Sequence, residues 1–124
     1  RKDIVGGVYT NNVQVNGTLH HIPVIMEYPS QEAKEKGLGQ WVSYPFLFPS
    51  RIVEVAAIGL GCILISRRAL EKIPFRFEEN REAFDDMHFA VDAVKNGFLL
   101  YANTGLLCGH LFTESFRNIP DEVF

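Results

Sequence analysis

The sequence predicts an α/β domain, a mixed sheet with flanking helices. Three observations carry that prediction: β-rich apolar runs at 3–9 and 52–65, an Asn-Gly turn between alternating flanks, and an amphipathic segment from Asp85 that ends at Gly97. A chain of 124 residues, 47% of them hydrophobic, supports one domain with a real core, spanning 1–124.

The elements follow in order. "DIVGGVY" (3–9) is rich in β-branched and aromatic residues and reads as a buried strand. Gly6 and Gly7 inside it predict close approach of other backbone or a ligand. "VQVNGTLHHIPVIM" is a hairpin, with Asn16-Gly17 supplying the positive φ angles of its tight turn. Residues 28–50 hold two Pro-bounded aromatic clusters with Gly37 and Gly39, which predicts an irregular crossing. "RIVEVAAIGLGCILISRRALEKIPF" then reads as strand, glycine turn, strand and short helix. Ser66 is its N-cap and Pro74 its stop.

From Asp85 onward, Phe84, Met87, Val91, Val94 and Phe98 recur at helical spacing and predict one buried face. Lys95 suits the negative end of the helix dipole, and Gly97 suits a left-handed C-terminal cap. "FLLY" and "GLLCGHLF" read as two further strands, and the tail as a surface loop.

Charge narrows the function. Twelve basic against fifteen acidic residues give −3 and no basic footprint, which argues against nucleic acid. No apolar run approaches the ~20 residues of a membrane span. The longest, "VAAIGLGCILI", carries two glycines and reads as strands. Cys62 and Cys108 sit in apolar runs and are expected to be buried free thiols, which fits a reducing, cytoplasmic setting. Membrane association is then expected only through parts outside this chain. The start at Arg1 suggests a piece of a longer protein.

Two signals point to chemistry. Asp85 and Asp86 open the long helix, where free N–H groups hold a carboxylate ionised, as a base or metal ligand requires. Either also serves as an ordinary N-cap. The strands after Gly97 must run back, so Asp86 and His110 are expected at one edge of the sheet, where α/β folds place ligands. Gly59 and Gly61 flank Leu60 in "GLGCIL". Leu64 breaks the dinucleotide fingerprint there, leaving either a tight bend or a bare-backbone ligand loop.

Read together, "VEVAAIGLGCILISRRALEKI", "DDMHFAVDAVKNGF" and the late His110 resemble the C-terminal half of GT-A-type glycosyltransferases, similar to family two. The likeness runs over most of residues 3–112 and is weakest at 10–50. It implies inverting transfer of a sugar from a nucleotide-sugar donor to the hydroxyl of a carbohydrate, lipid or protein acceptor. Asp86 would be the general base, with Asp85 orienting it or touching the acceptor. Asp85 stands where the family usually has Glu. Gly59, Leu60 and Gly61 would line the sugar and acceptor pocket, Trp41 or Tyr44 would stack on a sugar face, and Arg117, with Ser115 in the same loop, would approach phosphates. His110 would help bind a divalent metal, manganese or magnesium. The family's Asp-x-Asp motif is absent from this chain, as is the nucleotide-binding half that precedes "DIVGGVY". The resemblance therefore implies a missing N-terminal half, without which donor binding is weak. Two other readings use the same residues. One is a non-catalytic carbohydrate- or protein-binding module of the same fold. The other is a metal-dependent hydrolase built on Asp85, Asp86 and His110.

Overall fold

A computed structural model describes residues 2–75, 85–112 and 115–117, the side chains of 13–15, 85, 86, 111, 112 and 115–117 excepted. The strands are β1 (Ile4–Val8), β2 (Thr10–Val15), β3 (Thr18–Pro23), β4 (Ile25–Glu27), β5 (Gln40–Trp41), β6 (Ile52–Val55), β7 (Ala57–Ile58), β8 (Ile63–Ile65), β9 (Leu100–Leu107), β10 (His110–Phe112) and β11 (Ser115–Arg117). The helices are α1 (Gln31–Lys36), α2 (Arg67–Lys72) and α3 (Asp85–Lys95), with a 3₁₀ turn at Tyr44–Leu47.

The fold is mixed α/β. Its main sheet has the order β6-β9-β1-β8, with β1 and β9 parallel and the outer pairs antiparallel. β1 lies between two partners, which is why its apolar run is almost wholly buried. A three-stranded antiparallel sheet, β5-β4-β7, and the hairpins β2-β3 and β10-β11 complete the strands. The core gathers Ile4 and Val8 from β1, Ile58 from β7, Phe89 and Ala93 from α3, and Leu100 from β9.

Several expectations hold locally. Asn16 and Gly17 take positive φ values of 51° and 78°, and β2 and β3 pair in register across them. Ser66 Oγ accepts from Ala69 N and caps α2, which ends before Pro74. Gly97 has φ 81°, with Phe98 N donating to Ala93 O and Gly97 N to Val94 O. That pair of bonds is a Schellman cap.

Other expectations are corrected. In β1 the room beside Gly6 is taken by the side chain of Ile58, and that beside Gly7 by Cys108 and Leu106, not by backbone or ligand. The irregular crossing at 28–50 contains α1. Ser30 and Gly37 cap it, but none of its residues is buried, so no apolar period announced it. "FLLY" and the first half of "GLLCGHLF" join in one continuous strand, β9, and the surface tail includes β11 paired to β10.

The buried face of α3 matches its apolar spacing only in part: Phe98 is buried and Met87 packs against the core as expected. Val91 and Val94 are 48% and 47% exposed, while His88, Phe89, Ala90 and Ala93 are buried. The helix packs on β7 and β9, and its buried residues range in size from Ala90 and Ala93 to Phe89. Phe84 lies outside the described residues.

Asp3, which carried no signal in the sequence, ties β1 to α2. Its buried carboxylate accepts from Ser66 Oγ, from Arg68 Nε at 2.8 Å and from Arg68 Nη2 at 2.7 Å. The same Ser66 hydroxyl caps α2, so one carboxylate orders both elements. Arg68 is largely exposed and screened, so the link to Ser66 carries most of the effect. Asp3→Ala is expected to cost about 1–2 kcal/mol, read as a lower urea midpoint at unchanged slope. An unchanged midpoint would show that the tie is idle.

Candidate functional site

The site is built around the turn between β7 and β8. Gly59 N donates to Val24 O at 3.0 Å, and Val24 N donates to Tyr9 O at 3.0 Å, so the turn is bonded through Val24 to the end of β1. The Tyr9 hydroxyl accepts from Gly61 N at 3.1 Å. A Cβ on Gly59 would collide with that hydroxyl, and one on Gly61 would sit 2.9 Å from the Tyr9 ring. Both glycines are bare because Tyr9 occupies their side-chain space. Leu60 between them packs against the core.

His110 adjoins the same tyrosine. Its ring meets the Tyr9 ring edge-on, with centroids 5.1 Å apart and planes at 73°. Its Nδ1 lies 2.6 Å from the carbonyl oxygen of Thr10. A carbonyl only accepts, so Nδ1 carries a proton, and when the ring is neutral its lone pair is on Nε2. That is the tautomer of a histidine able to ligate a metal or accept a proton. Arg117 stands directly opposite His110 in the β10–β11 register, although its side chain lies outside the described residues.

α3 begins at Asp85 and packs on β7, the strand that enters the glycine turn. The backbones of Asp85 and Asp86 are therefore in the helix's first turn, as expected. Their side chains lie outside the described residues. In the same turn His88 is buried with Nε2 unpartnered, an orphan that the sequence did not single out. Trp41 is 50% exposed on β5, the outer strand of its sheet and separated from β7 by β4, so its indole is open to a stacking partner. Tyr44 is half-buried and packs against the core.

The thiols of Cys62 and Cys108 are free. Cys62 O accepts from Gly7 N at 2.8 Å, and Cys108 N donates to Val8 O at 2.7 Å, so the two flank the end of β1. Burial, and then the neighbouring Cys62 thiol, push the Cys108 thiol above its ordinary range. This favours the protonated, unreactive form.

Sequence reasoning missed Tyr9. Nothing at position 9 announces that its ring will lie over residues 59 and 61 and against residue 110. Only the pairing of β1 with β8 and β9 brings these together. Among the described residues no group of three or more His, Cys, Asp or Glu is arranged to hold a metal ion. Among them, too, no helix is long and apolar enough to cross a membrane.

No protein-family model, no curated protein and no solved structure matches this chain.

Proposed function

We propose that this chain is the C-terminal part of a GT-A-type inverting glycosyltransferase similar to family two, moving a sugar from a nucleotide-sugar donor to an acceptor hydroxyl. The observation that carries the reading is the state of His110. A carbonyl fixes its Nδ1 proton, leaving Nε2 as a ligand beside the glycine turn. The mixed sheet and the acidic start of α3 agree with it. Among the described residues β8 is an edge strand of the main sheet.

Asp86 takes the acceptor's proton as the new bond forms, and Asp85 orients it. The glycine turn, braced by Tyr9, forms the floor of the sugar and acceptor pocket, and Trp41 offers a stacking face. Arg117 approaches the donor phosphates from the strand beside His110. An imidazole donor such as His110 would fit a divalent metal held chiefly by phosphate oxygens. Such a metal would supply charge neutralisation of the leaving diphosphate. Nitrogen ligation makes manganese the better match than magnesium.

The test is thermal denaturation of the complete protein with nucleotide sugars, with and without manganese or magnesium. A donor at about a hundred times its Kd is expected to stabilise by about 2.7 kcal/mol, and only with the metal present. His110→Ala should remove the metal-dependent part. Stabilisation by a free saccharide, with no response to any nucleotide sugar, would instead favour a carbohydrate-binding module.

A further inference from the structure

We propose that Tyr9 is a positioning residue that holds the His110 imidazole in its Nδ1–H tautomer and locks the glycine turn to it. The proposal rests on the reading of His110 as a metal ligand and adds the residue that makes it one.

The clamp closes on His110 from two sides. Thr10, almost wholly buried, presents its carbonyl to Nδ1, and the Tyr9 ring packs against the imidazole. A free imidazole exchanges its proton between the two nitrogens, and a hydrogen bond from one of them decides the matter. That bond forms only while the ring keeps its orientation. Rotation about the Cβ–Cγ bond would carry Nδ1 away from the carbonyl, and the Tyr9 ring fills space beside the imidazole that such a rotation needs.

Tyr9 is itself held in place. Its carbonyl accepts from Val24 N, its hydroxyl accepts from Gly61 N, and its ring fills the space left by Gly59 and Gly61. Any side chain at either glycine moves the tyrosine, and the imidazole with it. The turn and the candidate ligand, about fifty residues apart in sequence, thus share one mechanical part. Partners that orient a metal-binding histidine typically change metal affinity by 10–100-fold when lost.

The experiment is nitrogen-15 spectroscopy of the His110 ring in the complete protein, followed by manganese titration in the presence of a nucleoside diphosphate, read as paramagnetic broadening of His110 signals. In the wild type, Nδ1 should carry the proton and Nε2 the lone pair. Tyr9→Leu should give a mixture of tautomers and manganese binding about tenfold weaker. Tyr9→Phe keeps the ring and should keep the tautomer. Gly61→Ala pushes on the ring without touching residue 9 and should shift the tautomers in the direction of Tyr9→Leu, so the test stands even if Tyr9→Leu fails to fold. Unchanged tautomer populations in both Tyr9→Leu and Gly61→Ala would overturn the proposal. A fixed tautomer in the wild type, lost in these variants but with no manganese broadening in any protein, would uphold Tyr9's hold on the ring. That result would overturn the metal-ligand reading instead.

Discussion

Asp86→Asn is expected to lower sugar transfer by the complete protein about a thousandfold, with donor affinity and melting temperature nearly unchanged. The substitution separates the two roles open to this carboxylate. Asp86 is the second residue of α3, where the exchange costs only the carboxylate's interaction with the helix dipole, about 0.3–1 kcal/mol, so a purely structural Asp86 tolerates it. An amide cannot take a proton from an incoming hydroxyl, so a catalytic Asp86 does not. Asp85→Asn is expected to cost less, because an orienting group acts through geometry that an amide partly preserves. Steady-state kinetics on both variants, with a melting curve as control, make the comparison. Full turnover by the Asp86 variant would remove the base from the mechanism and leave the binding-module reading.

The largest effect on stability should come from Phe89→Ala, at about 3–5 kcal/mol. Phe89 is fully buried on α3, and its ring stacks on Phe75 with centroids 5.3 Å apart. Removing the ring opens a cavity where the helix meets β7, and the alanines at 90 and 93 are too small to fill it. A domain of this size holds only about 5–15 kcal/mol, so the variant should be close to unfolding at body temperature. Val94→Ala on the same helix should change stability by no more than about 0.5 kcal/mol, because Val94 stands on the exposed side. Chemical denaturation of the pair tests which face is buried. Equal losses would mean that the helix packs as its apolar spacing alone suggested.

Local features of this protein were legible in the sequence because short-range chemistry governs them. Asn16-Gly17 made a hairpin, Ser66 began a helix and Gly97 ended one, each through backbone preferences that act within a few residues. The run at 4–8 was readable as a buried strand because few polar residues interrupt it. The position of the acidic pair at a helix start was readable for the same reason. His110 was legible as a candidate, and its tautomer was not.

Tertiary structure decided everything that joins distant residues. It turned α3 so that His88, Phe89, Ala90 and Ala93 are buried while Val91 and Val94 stand exposed. It put side chains, not a ligand, beside Gly6 and Gly7. By pairing β1 with both β8 and β9 it set Tyr9 over two glycines and against one histidine. Backbone preferences reach only neighbouring residues, whereas space in a packed sheet is shared among all its strands. A single chain therefore announces its turns and caps, and the meeting of residues 9, 61 and 110 exists only once the sheet has closed around them.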